Sequence, residues 1–372
     1  MKTALPPTTV KIGGFEHVSS VLVGGGHPVA IQTMWKDSLS KESLEGDSGK
    51  VIVERIERLS RMGCRILRFA VPNLEAADTL GELSRRTAMP LVADIHFDYR
   101  IALRCLDYPI AKIRINPGNI GSREKAKAVM DLAAERGRPI RIGINAGSLP
   151  KDLAQEVDDG SLTRAEALVS SAERELAWCD DEGFKDVLLS MKASDIVETL
   201  AANRLIAGKR PIPLHLGVTE AGPLIPGIVR NAVAMTTLLL EGIGSTIRVS
   251  LSDTMESEVM AAREILAAVT ELRGESAAGK GVTIVSCPRC GRNSFDTHTF
   301  AQRWQERLYA MDKDITVAFM GCAVNGPGEA RHADLGITGM GDKVLIFAHG
   351  EVVRTVEHSK ADQAFEEELA KL

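Results

Sequence analysis

The sequence predicts an α/β fold: a (β/α)8 barrel followed by a small α+β domain. Three observations point to it. Between residues 29 and 252, eight short β-rich segments alternate with longer stretches of helical composition, the pattern of a parallel sheet with crossover helices. Eight strand–helix units over roughly 250 residues have the size of such a barrel. Beyond Arg273 the composition changes to the small-residue run GESAAGKG, and a shorter mixed pattern then begins. The barrel is therefore assigned to residues 1–273, a flexible linker to 274–281 and the second domain to 282–372.

In chain order the strands are VAIQTM, RILRFAV, PLVADIHF, AKIRINPG, PIRIGIN, VLLSMKA, PLHLGVTE and TIRVSLS. The helices between them include GKVIVERIERLSRMG, REKAKAVMDLAAERG, TRAEALVSSAERELAWCDDEG and SEVMAAREILAAVTELRG. Their apolar residues recur at three-to-four spacing and glycines close several ends. VGGGH, residues 23–27, lies between two β-rich pieces and reads as a hairpin turn, since no GxGxxG opens a helix here. LIPGIVRNAVAMTTLLLEGIG is interrupted by Arg230 and Asn231 and reads as a buried helix rather than a membrane span. In the second domain VTIVSCPRCG and ITVAFMGC supply strands and THTFAQRWQERLYAM a helix. GITGMGDKVLIFAHGEVVRTV precedes a closing acidic helix.

With 44% hydrophobic and 26% charged residues the composition is that of a soluble globular protein. A formal net charge of −5 argues against general nucleic-acid affinity, so any anion site must be a local concentration of cations. MKTALPPTTVKIGG has no apolar core followed by a cleavage site and reads as no signal peptide, so a cytoplasmic location is expected, away from membranes. Six cysteines are too sparse for a disulfide scaffold, and a reducing compartment turns attention to metal binding or catalysis.

Strand side chains alternate between faces, so the polar positions can be assigned in phase. In AKIRINPG, Lys112, Arg114 and Asn116 share one face; in PIRIGIN, Arg141, Gly143 and Asn145; in TIRVSLS, Arg248, Ser250 and Ser252. Asp94, His96 and Asp98 share a phase of ADIHFD, and Arg68, Lys192 and His215 extend the set. The apolar phase faces the helices, leaving the polar phase inside the barrel, where function sits at the C-terminal strand ends. Inward arginines on three strands repel one another and are poorly solvated unless an anion compensates them. The implied ligand is compact and multiply anionic, most economically a diphosphate, because guanidinium forks match phosphate oxygens. The competing reading is a structural network in which the cations pair with Asp94, Asp98 and Glu220. Asn145, Thr219 and Ser250 are weaker candidates, since small polar residues at strand ends often only cap helices.

Cys287 and Cys290 stand in CPRCG and Cys322 in GCAVNGPGEARHAD, whereas Cys64, Cys105 and Cys179 lie in apolar barrel segments and read as core. Structural zinc takes four ligands, and no second CxxC occurs. Three thiolates suit a [4Fe–4S] cluster in which one iron is held differently from the rest. Glu329, in NGPGE, is placed by its turn to supply an oxygen; its ordinary role there is a helix N-terminal carboxylate. A zinc site of Cys287, Cys290, Cys322 and His332 stays open on spacing alone.

Taken together, CPRCGR, GCAVNGPGEA, ADIHFDYR, KIRINPGNIG, PIRIGIN, KASD, HLGVTEAG and GIGSTIRVSL resemble the 4-hydroxy-3-methylbut-2-enyl diphosphate synthase family, from about residue 10 to beyond 350. The resemblance implies reduction of 2-C-methyl-D-erythritol 2,4-cyclodiphosphate to an allylic diphosphate, with electrons passing through a [4Fe–4S] cluster from flavodoxin or ferredoxin. It implies Cys287, Cys290, Cys322 and Glu329 as cluster ligands and Glu220 as proton donor. It implies diphosphate contacts from Arg68, His96, Arg114, Arg141, Asn145, Lys192, Arg248 and Ser250. It further implies a ferredoxin-like second domain similar to those of sulfite and nitrite reductases. The sequence departs from the family at IQTMWKDSL, where Trp35 and Lys36 replace a run of Thr and Asn, and at Arg289, where a small residue is commoner. A zinc-stapled module that senses a phosphorylated metabolite, or an aldolase- or pteroate-synthase-like barrel without redox chemistry, would explain only part of these features.

Chain geometry adds a homodimer to these expectations. The helix near residues 254–272 should carry the chain about 28 Å away from the barrel mouth. The linker spans at most about 28 Å when extended, so a cluster beside its own mouth is disfavoured. A head-to-tail homodimer with the active site shared between chains, as the resemblance also implies, removes the difficulty.

Overall fold

The computed structural model describes residues 3–116, 120–275, 281–322, 328 and 330–372. The chain divides into two compact units, Met1–Glu275 and Ser276–Leu372.

The first unit is the expected barrel, preceded by a hairpin that sequence periodicity did not reveal. Strands β1 (Val10–Ile12) and β2 (Val21–Val23) pair antiparallel. The eight barrel strands follow: β3 (Ala30–Met34), β4 (Cys64–Ala70), β5 (Leu91–Asp94), β6 (Lys112–Ile115), β7 (Ile140–Asn145), β8 (Val187–Lys192), β9 (His215–Leu216) and β10 (Thr246–Ile247). All are parallel in the order β8-β7-β6-β5-β4-β3-β10-β9, and a parallel bridge between Leu189 and Leu214 joins the two ends of that order. The crossovers are α1 (Gly46–Arg61), α2 (Leu74–Ser84), α3 (Tyr99–Leu106), α4 (Arg123–Glu135), α5 (Lys151–Asp158), α6 (Arg164–Asp181), α7 (Ile196–Ala207), α8 (Leu224–Leu240) and α9 (Met255–Leu272). Their starts carry the caps their sequences allow. Thr163 and Glu166 form a reciprocal capping box on α6, and the Asp195 and Thr254 side chains cap α7 and α9.

The hairpin closes the N-terminal end of the barrel. Val10, Ile12, Val18 and Val23 pack with Ala30, Ile66, Val92, Ala111 and Leu188, which come from the first halves of the barrel strands or just before them. Gly24, Gly25 and Gly26 follow β2 with φ of 78°, 54° and 82°. They lead into β3, which does not pair with β2, so VGGGH is a link between two sheets and not the hairpin turn expected. A Cβ on Gly24 would stand 2.1 Å from the Thr8 carbonyl oxygen, so glycine is required there by both conformation and space. Helix α8 differs from expectation as well. Its inner face is buried at Asn231, Ala234, Met235 and Leu238, yet Ile225, Val229 and Val233 are exposed. No described helix is long and apolar enough to cross a membrane.

The second unit contains a mixed sheet of β11 (Thr283–Ser286), β12 (Thr316–Met320), β13 (Leu335–Met340), β14 (Lys343–Ala348) and β15 (Glu351–Glu357), in that order, with the first three parallel. Helices α10 (Thr297–Tyr309) and α11 (Ala361–Leu369) cover one face. There Phe300, Trp304 and Phe365 pack on Val317, Phe319, Ile337 and Ile346. Trp304 meets Phe365 edge-on at 4.9 Å while its Nε1 donates to Asp362 at 2.8 Å, satisfying the buried indole. The other face carries Ala318, Met320, Ala330, Ala333 and Phe347, with Cys287 packed against them.

Ile12 is fully buried in the hairpin plug, remote from the strand ends where the charged residues cluster. Ile12→Ala should cost about 2–5 kcal/mol of barrel stability in a denaturant titration, while affinity for inorganic pyrophosphate stays at the wild-type value.

Candidate active site

Alternation along the strands sends the polar positions inward, as their phase required. Asp94 registers with Arg114 across β5 and β6, and Arg114 with Arg141 across β6 and β7. Arg114 donates from Nη1 to Asp94 Oδ1 at 3.0 Å, and the same nitrogen lies 2.9 Å from His96 Nε2. A guanidinium has only donors, so His96 Nε2 accepts. Gly143 is the next inward position of β7, and a Cβ there would come within 2.5 Å of the Arg114 guanidinium. Gly217 leaves room in the same way for Lys192. Arg68 Nε stands 3.7 Å from Asp94 Oδ2, and its Nη2 contacts Met34 Sδ at 2.7 Å. Arg248 Nη1 approaches the same sulfur at 3.6 Å, which places Arg68 and Arg248 on one neighbour.

Internal pairing accounts for only part of this charge. Asp94 serves Arg68 and Arg114. Arg141 is 1% exposed, and its Nε and Nη1 have no hydrogen-bond partner among the described residues. Nε of Arg114 and of Arg68 are likewise without one. Lys112 is fully buried beneath, 3.4 Å from Gln32 Oε1. Burial, reinforced by Arg141 and the neighbouring cations, pushes Lys112 and Lys192 well below the usual lysine value. Burial and then Arg68 and Arg114 do the same to Arg141, and burial brings Arg68 down to about 10. For Asp94, burial acts upward, but Arg68, Arg114 and Arg141 outweigh it and hold the carboxyl below its ordinary value. His215 is fully buried with Nδ1 2.8 Å from Thr246 Oγ1. Burial and the surrounding cations keep it neutral, so it adds a polar group to the ring and no charge.

Other expected residues fall differently. Asp98 leaves the barrel phase: it caps α3, accepting from the Arg100 backbone N–H at 2.9 Å, and pairs with the Arg100 side chain at the surface. β5 ends at Asp94, so strand alternation no longer governs position 98. Asn145 registers beside Lys192 at the ends of β7 and β8. Ser250 is half-buried in the loop after β10, and Glu220 is exposed in a turn after β9 with φ of 50°.

Sequence reading missed Glu258 and Thr33, and noted Lys36 only as a departure from the family pattern. Glu258 is 1% exposed and accepts from Arg248 Nε and Nη2 at 3.1 Å each, from Thr33 Oγ1 at 2.6 Å and from the Leu251 N–H at 3.1 Å. Lys36 Nζ lies 2.9 Å from its Oε1. Burial acts upward on Glu258, but Arg248 and these donors hold it below the ordinary glutamate value. Glu256, two residues earlier, is buried against α1 by Arg55 and Arg58 and is brought down to about 2 by those contacts against the opposing effect of burial. The one sequence signal was the acidic first turn of α9, which ordinarily reads as a helix-dipole contribution. The divergent Trp35 is buried, stacked on Phe69 at 5.5 Å with Arg55 over its ring.

At the C-terminal strand ends a cavity of about 720 Å³ is lined by Met34, Trp35, Lys36, Phe69, Arg248 and Leu251 among others. A smaller one of about 190 Å³ is lined by Asp94, His96 and Phe97 and shares Ala70 with it. The larger is bordered by the cations Lys36 and Arg248, the smaller by Asp94 and His96.

All six cysteines of the chain are free, and three of them, Cys287, Cys290 and Cys322, lie in the second unit. Ser286 registers with Phe319, and Cys287 N–H donates to the Phe319 carbonyl at 2.9 Å, which puts Cys287 and Cys322 just past the ends of adjacent parallel strands. Cys290 follows, exposed, its carbonyl accepting from the Asn293 N–H. Arg289 between them has φ of 64° and pairs with Asp296, the cap of α10, at 2.9 Å. Nearby, Asn293 Oδ1 is buried without a partner among the described residues. Three free thiols suit a thiolate-bound cluster in donor chemistry. They are not within ligating distance of one another as a group of three among the described residues. Glu329 lies outside the described residues. Cys64, Cys105 and Cys179 are buried, and burial pushes each thiol up to about 12, as inert core residues require.

Residues 15–263 match the family described as the GcpE TIM-barrel domain, and residues 283–371 that described as the GcpE protein C-terminal domain. The chain is 52% identical over 377 residues to a 4-hydroxy-3-methylbut-2-en-1-yl diphosphate synthase (flavodoxin) of Treponema pallidum, covering 97% of this chain and 91% of the relative. It is 48% identical over 392 residues to the protein of the same name from Treponema denticola, covering 98% of each. With Thermodesulfovibrio yellowstonii, again under that name, identity is 42% over 355 residues, 95% of this chain and 97% of the relative. With its barrel, its second unit and nearly its whole length matched in this way, the chain belongs to the GcpE family.

Proposed function

We propose that the protein opens the ring of 2-C-methyl-D-erythritol 2,4-cyclodiphosphate and removes a hydroxyl to give 4-hydroxy-3-methylbut-2-enyl diphosphate, an isoprenoid precursor, in a reducing cytoplasmic setting. The observation that carries the substrate half is the buried Arg141, with two nitrogens that have no hydrogen-bond partner among the described residues. A diphosphate supplies the missing acceptors and countercharge. The relatives carry flavodoxin in their names, which favours flavodoxin over ferredoxin as electron donor.

In this reading residues 1–273 are the substrate domain and 282–372 the cluster domain. Arg68, His96, Arg114, Arg141, Asn145, Lys192, Arg248 and Ser250 bind and orient the diphosphate. Cys287, Cys290, Cys322 and Glu329 hold a [4Fe–4S] cluster, which when bound supplies single electrons and a Lewis-acidic iron. The Glu220 carboxyl gives a proton to the departing oxygen. Its turn at the end of β9 sets it on the barrel's mouth side, and its exposure leaves it able to exchange protons with water.

Two measurements check this assignment. Purified without oxygen, the protein should be brown with about four irons per chain; replacing Cys287, Cys290 or Cys322 by Ser should abolish the colour, and stoichiometric zinc without visible absorbance would refute the cluster. The second measurement concerns a head-to-tail homodimer in which each small domain serves the partner's barrel, supported by the short linker that follows α9. Inactive Cys322→Ser chains mixed with inactive Arg141→Ala chains under subunit exchange should regain activity towards half that of wild type, per heterodimer formed. Heterodimers that stay inactive would place the whole site within one chain.

A further inference from the structure

We infer that Lys36 sets the charge of the anion site at Arg248: it is a positioning residue that shares Arg248's carboxylate and so leaves the group of Lys36, Arg248 and Glu258 cationic. The inference rests on the diphosphate reading above and adds to it a residue in the stretch where the sequence departs from the family pattern.

The geometry is that of a saturated carboxylate. Glu258 Oε1 accepts from Arg248 Nη2 and the Leu251 N–H at 3.1 Å each, with Lys36 Nζ at 2.9 Å. Oε2 takes Thr33 Oγ1 at 2.6 Å and Arg248 Nε at 3.1 Å. Lys36 spends its other donors on the backbone carbonyls of Leu251, at 2.6 Å, and Asp253. An ammonium has three protons, and all three are taken. Lys36 therefore has no donor to offer an incoming ligand.

What it has is charge. A bidentate Arg–Glu pair alone is neutral and attracts an anion weakly. With Lys36 present, two cations face one buried carboxylate, and this group of three side chains carries a net positive charge; of the other acids near it, Asp37 is paired with Arg55, while Glu75 lines the cavity and Asp253 lies beside Lys36. Lys36 and Arg248 both line the 720 Å³ cavity, and Lys36 is only 27% exposed there, so solvent screens its charge incompletely. At separations of several ångströms in such a setting, one charge changes the affinity for a highly charged anion by about tenfold.

The same contacts tie the loop after β3 to the loop after β10, so a purely mechanical role must be separated from an electrostatic one. Three variants of the full-length protein do so, with inorganic pyrophosphate as the calorimetric probe. Lys36→Gln keeps a donor for the Leu251 and Asp253 carbonyls but loses the charge. Lys36→Arg keeps the charge, and Lys36→Met loses both. Lys36→Gln and Lys36→Met should each bind pyrophosphate about tenfold more weakly than wild type, with Lys36→Arg within about threefold of it. If Lys36→Met fails to fold, the Gln and Arg variants decide alone. Wild-type affinity in Lys36→Gln, or failure of Lys36→Arg to restore binding, would overturn the inference. Arg141→Ala is the control for the underlying reading: if it is weak while Lys36→Gln is normal, only the Lys36 inference falls, and if it binds as tightly as wild type the anion ring itself is wrong.

Discussion

The barrel is organised around an electrostatic deficit. Arg68, Lys112, Arg114, Arg141 and Lys192 are buried or nearly so, and among the described residues Asp94 pairs with Arg68 and Arg114 while Glu258 also acts on Arg68. Burying a cation without a partner costs several kcal/mol, and the cost is met only in part by hydrogen bonds from within. The hairpin plug, the branched apolar layer above it and the capped crossover helices hold these strands in register despite the repulsion. The glycines at 143 and 217 are part of the same arrangement, since a Cβ at either would collide with Arg114 or Lys192. Stability is thus spent at the mouth to keep a polyanion site formed before its ligand arrives.

Two carboxylates of α9 show how the fold limits that cost without removing the site. Glu256 turns outward to α1 and fixes the helix through Arg55 and Arg58. Glu258 turns inward, orienting Arg248 with both of its oxygens. One short stretch therefore both docks the last helix on the first and aims a guanidinium at the cavity.

Much of this was legible in the sequence because charge and period coincided. Lys112, Arg114, Arg141 and Arg248 alternate with Ile or Val, and a period of two in such surroundings has one physical solution in a barrel. Asp98 was misplaced because alternation fails where the strand stops, and β5 ends at Asp94. Glu258 was invisible because an acidic residue in a helix's first turn already has an ordinary explanation, and its partners Thr33 and Lys36 are more than 200 residues away along the chain. The strands β1 and β2 have three residues each, too few for any periodicity to register. The exposed row Ile225, Val229 and Val233 was hidden by an apolar helix whose composition did not distinguish its two faces.

The most direct measurement is the unfolding temperature of the full-length protein as a function of inorganic pyrophosphate, with sodium chloride matched for ionic strength as reference. A ligand that relieves buried, unpaired cations binds the folded barrel alone. At about 100 times its dissociation constant it stabilises that state by about 2.7 kcal/mol, enough to raise the barrel transition by several degrees. A concentration-dependent rise with pyrophosphate beyond that in chloride is the expected result. The same transition temperature in both would mean that the cations are satisfied without a ligand, and that the barrel is not an anion site.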